Sequence, residues 1–199
     1  VPRPSVMLMD EPFSGLDVEL RDSMQEETLA LLREARATCL IVTHHPEEAM
    51  RLGDRIAVMR AGHLVQVGKA EALYHAPAEL FVARLFSEIN EIPTVVREGT
   101  VTTPAGTIPA PGLADGARAI LCIRQRGIRV AQPGQEPHAG RVMHVKFLGD
   151  VGQVEIGVNG FEAPLKVRAR ESEGWRRGME VSVAFDPSRM LVFPADAAS

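Results

Sequence analysis

The chain has 199 residues, is 45% hydrophobic and carries a formal net charge of −4, so it has room and apolar content for one large or two small globular domains. No apolar run approaches the roughly 18–20 residues that span a bilayer, and no signal peptide is expected, because the N-terminus lacks a basic region followed by a long apolar stretch. Residues 1–99 carry 10 Lys or Arg against 16 Asp or Glu, a net charge of −6, while residues 100–199 carry 12 against 10, a net charge of +2, so neither half predicts a nucleic-acid-binding surface.

The first predicted element is the apolar run Val6–Met9, which suits a strand buried on both faces of a parallel sheet. Asp10 and Glu11 follow at once, and Pro12 stops the strand. Two acids at the end of a buried strand are unfavourable, because they lose contact with water and repel each other. Open α/β sheets bind their ligands at this edge. The pattern predicts either an ordinary acidic turn or two carboxylates that serve a cation or a reacting group.

A helix is predicted over Val18–Arg36, because apolar residues recur near helical spacing and most of the charged residues fall on the other face. Asp17 directly precedes this helix and suits its N-cap position, where a carboxylate accepts a backbone hydrogen bond. The capping role does not exclude a second role for Asp17.

A second apolar strand, Ala37–Thr43, ends in the pair His44-His45. Pro46 restricts the residue before it to an extended conformation and can start a helix over Glu47–Leu52, whose first acids suit the positive helix end. Adjacent residues of a strand point to opposite faces, so His44 and His45 are not expected to share a metal ion.

The rest of the first half predicts a hairpin and two short helices, in the order Arg55–Arg60, Leu64–Val67, Ala70–His75 and Ala78–Phe86. From Ile92 the sequence changes to short strands separated by Gly and Pro, which is typical of an all-β barrel or sandwich. The strands predicted there are Thr94–Arg97, Ala119–Arg124, Gly127–Val130, Arg141–Leu148, Gln153–Val158, Phe161–Val167, Met179–Phe185 and Met190–Phe193.

Two shorter patterns predict a turn and the state of the cysteines. Asn159-Gly160, between two of the predicted strands, is a hairpin signal. Cys39 and Cys122 each lie in an apolar strand-like run, so they are predicted to be buried free thiols, with a disulfide between them as the lesser alternative.

Three motifs of the first half, in this order, resemble the ATPase subunit of an ABC transporter. Val6–Glu11 is similar to its Walker B strand, Ser14–Asp17 to its D-loop, and Thr43-His44 to its switch-histidine loop. The resemblance implies that residues 1–92 form an α/β domain, a partial P-loop NTPase or RecA-like core that lacks the phosphate-loop half.

The same resemblance assigns roles to four residues. Asp10 would hold Mg²⁺ and so help to bind the nucleotide, and Glu11 would polarise the attacking water as a general base. His44 would contact the γ-phosphate of ATP, and Asp17 would lie at the nucleotide site between two ATPase subunits. His45 departs from the family, because many importer ATPases carry an acid at that position.

The phosphate loop of the family, G-x-x-x-x-G-K-[ST], is absent from the 199 residues, which contain only the lysines Lys69, Lys146 and Lys166. The Gly-rich signature loop is absent as well. We therefore expect the C-terminal part of an importer ATPase, which by itself does not bind or hydrolyse MgATP usefully. Without the phosphate-loop strand, the apolar side chains of Val6–Met9 are expected to be exposed.

Residues 93–199 resemble the regulatory β domain, an OB-like barrel of the TOBE type, that follows the ATPase domain in maltose, molybdate and iron importers. The resemblance rests on the segments C-I-R-Q-R-G-I-R-V, G-R-V-M-H-V-K-F-L-G-D and V-S-V-A-F-D-P-S-R-M-L-V-F-P. Arg124, Arg126 and Arg129 of this domain either line an anion site or only aid solubility, and the second is commoner for arginines on a solvated barrel face.

Together the resemblances imply an ATP-hydrolysing, energy-coupling subunit of a bacterial ABC importer that uses ATP and Mg²⁺. Its expected partners are a second copy of the subunit and transmembrane permease subunits, at the cytoplasmic face of the inner membrane, with no nucleic acid. The linker F-S-E-I-N-E-I resembles that of the iron(III) importer subgroup, and polyamine, sulfate and sugar importers are the alternatives. The alternative function is a non-catalytic regulatory or dimerisation module in which the β domain is the working part.

Overall fold

The computed structural model describes residues 6–147, 151–170 and 174–195. The chain forms two compact units, Val1–Ala78 and Glu79–Ser199. The boundary between these units lies before the boundary between two functional domains that the sequence predicts between residues 92 and 93. As a division of function, that boundary stays a prediction.

The first unit alternates strands and helices: β1 (Val6–Asp10), α1 (Val18–Ala35), β2 (Thr38–Val42), α2 (Pro46–Leu52), β3 (Ile56–Arg60), β4 (His63–Gly68) and α3 (Ala70–His75). β1 and β2 are parallel, with Leu8 opposite Leu40 and Asp10 opposite Val42, so both strands end at the same edge. β3 and β4 pair as an antiparallel hairpin. The strand–helix–strand order with parallel strands is the α/β arrangement that the apolar runs predict.

β1 is not buried on both faces, as its apolar run alone suggests, but has exposed apolar side chains, as expected for this chain without a phosphate-loop strand. Val6 is 57% exposed, Leu8 is 74% exposed, and Leu40 on the neighbouring strand is 58% exposed. The reason is that β1 pairs with β2 alone among the described strands. The exposure is what we expect for a Walker B-like strand without the strand that carries the phosphate loop.

The second unit is mostly β. Its elements are α4 (Leu80–Phe86), β5 (Ile89–Val95), β6 (Thr100–Thr103), β7 (Gly106–Pro109), β8 (Arg118–Arg124), β9 (Ile128–Ala131), β10 (His138–Phe147), β11 (Val151–Val158), β12 (Leu165–Arg170), β13 (Glu180–Phe185) and β14 (Met190–Pro194). Five strands form one sheet in the order β12-β11-β10-β13-β9, three form another in the order β14-β8-β5, and β6 pairs with β7. A large apolar core joins them, with Val101, Leu121 and Val154 fully buried, and a second, smaller cluster contains Leu80, Cys122 and Phe193. The arrangement approaches a barrel, in agreement with the predicted β domain.

Two predictions about the strands of this unit need correction, and one pair of strands is not predicted at all. β5 spans Ile89–Val95 instead of Thr94–Arg97, because Pro93 is tolerated in an edge strand. Asn159-Gly160 does form a turn, but β12 resumes only at Leu165, so the connection is longer than a two-residue hairpin. The hairpin of β6 and β7 is not predicted by the sequence. Leu148, the predicted end of the strand that begins at Arg141, lies outside the described residues.

Both cysteines are free thiols. Cys122 in β8 is buried as predicted, whereas Cys39 is only half-buried, because its strand β2 belongs to the exposed two-stranded sheet. Within the described part of the chain, no helix has the length and the apolar content required to cross a membrane.

Candidate functional site

Two acids lie where β1 ends. Asp10 is the last residue of β1, and the amide of Glu11 donates to the carbonyl oxygen of Val42 at 2.9 Å, so pairing with β2 continues one residue further. Glu11 has a φ of 43°, in the left-handed region that residues other than glycine seldom adopt. Backbone strain of this kind is concentrated at functional sites, which makes the end of β1 the first candidate.

The structure brings two of the predicted site residues into contact. Nδ1 of His44 lies 2.7 Å from Oε1 of Glu11, although the residues are 33 positions apart. An ionised carboxylate can only accept a hydrogen bond, so Nδ1 is the donor and Nε2 is the ring atom left for a ligand. The side chains are 60% and 43% exposed, for His44 and Glu11 respectively, so a small molecule can reach both.

Asp10 is exposed at the same strand end, one residue before Glu11. Mg²⁺ takes oxygen ligands and is usually held by one or two carboxylates together with waters and the phosphates of a nucleotide. A single carboxylate at this position therefore fits a Mg²⁺ ion whose other ligands come from a nucleotide. It does not fit a metal site built by protein alone, and within residues 6–147, 151–170 and 174–195 no group of three or more His, Cys, Asp or Glu side chains is placed to hold a metal ion.

Asp17 is the N-cap of α1, as predicted. Its Oδ1 accepts a hydrogen bond from the amide of Leu20 at 3.0 Å. The turn before it contains Gly15, whose φ of 79° is easy only for glycine, and the buried Phe13 anchors the same turn. Asp17 makes no contact with the Glu11–His44 pair among the interactions described, so the structure shows its capping role alone.

The side chains of His44 and His45 do not point to opposite faces, contrary to the prediction. The two rings lie with their centroids 4.0 Å apart and their planes tilted by 39°, because β2 ends at Val42 and the alternation of strand side chains does not reach the histidines. The closeness of the two rings does not create a metal site, because the described residues contain no group of three or more His, Cys, Asp or Glu side chains placed to hold an ion.

A buried polar cluster that the sequence does not predict lies next to the histidines in the chain. Glu48 and Gln25 are only 5% and 3% exposed, and both carboxylate oxygens of Glu48 accept hydrogen bonds, from Thr43 and from Gln25. Glu47 and Glu48 are both acids of the first turn of α2, and the sequence alone does not distinguish them. Their positions on the helix separate them, since consecutive helical residues point in directions roughly 100° apart.

The three arginines of the β domain do not form one anion site. Arg124 is buried, with 2% of its surface exposed, whereas Arg126 is exposed. Arg129 is also exposed, and its Nε donates to Oε1 of Glu136 at 2.6 Å. The three side chains therefore lie in different environments, and neither the shared anion site nor the common solvated face is observed.

Comparisons with known proteins find similarity along nearly the whole chain. The TOBE domain family matches residues 121–193. The sulfate/thiosulfate import ATP-binding protein CysA of Bradyrhizobium diazoefficiens is 32% identical over 192 residues, which are 96% of this chain and 55% of that protein. The spermidine/putrescine import ATP-binding protein PotA of Pseudomonas fluorescens is 35% identical over 98% of this chain and 57% of its own length.

The Fe(3+) ions import ATP-binding protein FbpC of Rhizobium etli is 38% identical over 161 residues, 78% of this chain and 45% of that protein. The chain thus spans about half the length of the curated relatives it matches. The solved structure of the cytoplasmic molybdate-binding protein ModG covers 53% of this chain at 12% identity and a TM-score of 0.43, a distant likeness from which we infer nothing. By sequence, the chain corresponds to the C-terminal portion of the ATP-binding subunit of an ABC importer and contains a TOBE domain.

Proposed function

We propose that the protein is the ATP-hydrolysing, energy-coupling subunit of a bacterial ABC importer. The observation that supports this most directly is the contact of 2.7 Å between Glu11 and His44. It joins the ends of two parallel strands at the edge where α/β sheets bind their ligands. A carboxylate and an imidazole that are hydrogen-bonded at that edge are a suitable pair, because the carboxylate can activate water and the imidazole can contact a phosphate.

In this proposal Glu11 accepts a proton from the attacking water. A general base must lie within hydrogen-bond reach of its proton and of solvent, and Glu11 is 43% exposed. His44 fixes one carboxylate oxygen of Glu11 through Nδ1 and presents Nε2 to the γ-phosphate. The other oxygen of Glu11 remains for the water.

Asp10 would hold Mg²⁺ together with the phosphates, and the ion would neutralise phosphate charge. The 199 residues contain no phosphate loop, so turnover requires such a loop to be joined to them. We propose further that Asp17 lies at the interface with a second copy of the subunit, and that the subunit binds a permease at the cytoplasmic face of the membrane.

The relatives carry sulfate/thiosulfate, spermidine/putrescine and Fe(3+) in their names. Of these we propose iron(III) for this protein, because the segment from Phe86 to Ile92 resembles the linker of that subgroup. Growth of a deletion strain on low iron, compared with growth on single sugars, tests the substrate. Unimpaired iron uptake in that strain would exclude iron.

The catalytic proposal is tested in a chimera that joins this chain to the phosphate-loop half of the Pseudomonas fluorescens relative. Glu11→Gln should lower kcat by about 10²–10⁴-fold, the usual contribution of a general base, and should leave ATP binding intact. His44→Ala should also lower kcat sharply, whereas the matched variant His45→Ala should be mild. Near-normal turnover of Glu11→Gln would remove Glu11 from the mechanism and favour a non-catalytic regulatory module, and equal effects at the two histidines would mean that His44 is wrongly assigned.

A further inference from the structure

The contact between His44 and Glu11 is exposed to solvent and cannot maintain its own geometry. Exposed ion pairs contribute little to stability and are weakened by salt and by side-chain entropy. The side chains are 60% and 43% exposed. Whatever orients His44 towards Glu11 must therefore lie in the buried structure next to it.

The buried carboxylate of Glu48 is the nearest such structure. Glu48 lies in the first turn of α2, is 5% exposed, and accepts hydrogen bonds on both of its oxygens. Oε2 accepts from the hydroxyl of Thr43, and Oε1 accepts from Nε2 of Gln25 at 3.2 Å. Its neighbour Glu47 is exposed, so the preference for acids in a first helical turn does not explain why Glu48 is buried.

The hydroxyl of Thr43 connects Glu48 to the backbone around His44. A hydroxyl has one proton to donate and lone pairs that accept. Since Thr43 donates to Glu48, its oxygen is left to accept the amide proton of His45, at 3.1 Å. The residues before and after His44 are thus tied to each other, and both are tied to Glu48.

Gln25 fixes this cluster to helix α1. Gln25 is 3% exposed, and its Oε1 accepts a hydrogen bond from Arg51 at 3.1 Å. Because Arg51 can only donate, the amide of Gln25 must turn its Nε2 towards Glu48. The orientation of every polar group from Arg51 to the amide of His45 is therefore determined by its neighbour.

We propose that Glu48 is a positioning residue that holds the segment Thr43–His45 so that Nδ1 of His44 meets Glu11. This inference rests on the proposed function for its catalytic meaning, but the geometry it concerns exists without ATP. Glu48 touches neither the reacting atoms nor the nucleotide, and it acts on them through Thr43. Loss of Glu48 should release His44 from Glu11 while the rest of the unit remains folded.

The first test reads the ring of His44 directly. The 199-residue chain is labelled with ¹⁵N-histidine, and two-bond ¹H–¹⁵N spectra in mildly alkaline buffer report which ring nitrogen of each of the six histidines carries the proton. We expect the Nδ1–H form for His44 in the unsubstituted chain, in Glu48→Gln and in the matched control Glu47→Ala. We expect the commoner Nε2–H form in Glu48→Ala. Thr43→Val removes the hydroxyl but keeps the shape of the side chain, so it should behave like Glu48→Ala. If Glu48→Ala does not fold, the result for Thr43→Val tests the positioning role instead.

The second test measures turnover of the same variants in the chimera. Glu48→Ala and Thr43→Val should lower kcat about tenfold, the order expected when one or two hydrogen bonds are lost, with KM for ATP within about twofold. Glu48→Gln can still accept from Gln25 through its amide oxygen and can donate its NH2 group to the oxygen of Thr43, so it should recover most of kcat. Glu48→Met fills the same space without these hydrogen bonds and should not recover it.

The outcomes separate this inference from the proposed function. Three results would each overturn the positioning role. They are a majority of the Nε2–H form at His44 in the unsubstituted chain, retention of the Nδ1–H form in Thr43→Val, and loss of the Nδ1–H form in Glu47→Ala. If the ring responds as expected but His44→Ala keeps full turnover in the chimera, the positioning role stands and the proposed catalytic function fails.

Discussion

Removal of one side chain, Asn90→Ala, should destabilise the second unit substantially. Asn90 lies in β5 and is 8% exposed. Its Nδ2 donates to the carbonyl oxygen of Lys166 at 2.8 Å, and its Oδ1 accepts from the amide of Lys166 at 2.7 Å. Lys166 belongs to β12, an edge strand of the five-stranded sheet. The carboxamide of Asn90 therefore takes the place that the backbone of a neighbouring strand would occupy.

The expected magnitude follows from these two hydrogen bonds. Each contributes about 1 kcal/mol net, and each partly buried backbone group left without its partner costs up to about 1 kcal/mol more where water reaches it incompletely. We expect Asn90→Ala to lower the free energy of unfolding by about 2–4 kcal/mol. Asn90→Asp should cost at least as much, because its second oxygen would face the carbonyl oxygen of Lys166.

Urea unfolding followed by tryptophan fluorescence measures this loss in the intact chain. The single tryptophan, Trp175, packs against the core of the second unit and so reports that unit. Asn159→Ala is the matched control, because Asn159 is exposed in a turn, and it should change stability by less than about 0.5 kcal/mol. A loss below about 1 kcal/mol for Asn90→Ala, or a loss equal to that of Asn159→Ala, would refute the idea that Asn90 substitutes for a strand.

Three further predictions follow from the same structure. Hydrogen bonds from Arg84 hold the pKa of Glu91 below its ordinary value of 4.5. The ionised Glu91 therefore stabilises the fold at pH values above 4.5, and this stabilisation is lost as the pH falls through the lower pKa of the folded state. Glu91→Gln should therefore have a lower free energy of unfolding near neutral pH than the unsubstituted chain. The difference should be well under 1 kcal/mol because the pair is partly exposed. A difference that persists in acid would contradict this prediction. Burial raises the pKa of the Cys122 thiol to about 12, so a thiol reagent near neutral pH should label Cys39 first, and labelling at equal rates would show that the core of the second unit opens readily. Finally, the 199-residue chain should not bind MgATP in a calorimetric titration, because Asp10 lacks the phosphate loop that would supply the other contacts, and micromolar binding would disprove this.

Much of the candidate site can be predicted from the sequence, for a definite reason. Two apolar runs, each ending in polar residues, predict parallel strands whose ends meet at one edge, and this is why Glu11 and His44 are found in contact. The capping role of Asp17 is local to the turn before α1 and is predicted equally well. Both features depend on neighbours along the chain or on the direction of one strand pair.

Other features could not be predicted in this way. The start of β5 at Ile89 depends on its pairing with β8, where Ile89 lies opposite Arg124. The burial of Arg124 contradicts the expectation for an arginine in a barrel strand. In each case the deciding interaction is with residues distant in the sequence, so no local pattern reports it.

The amino-acid sequence by itself determined the order of the elements, the acids and histidine at the two strand ends, and the similarity to importer ATP-binding subunits. Each of these is encoded in short stretches, since the alternation, spacing and capping of residues act over one element. Only the tertiary structure decided that Glu48 is buried with both oxygens hydrogen-bonded while Glu47 is exposed, and that Asn90 pairs with Lys166, 76 residues away. The physical reason is that burial and hydrogen-bond partners depend on which elements pack together, and a carboxylate or an amide is stable in a buried position only where distant donors and acceptors meet it.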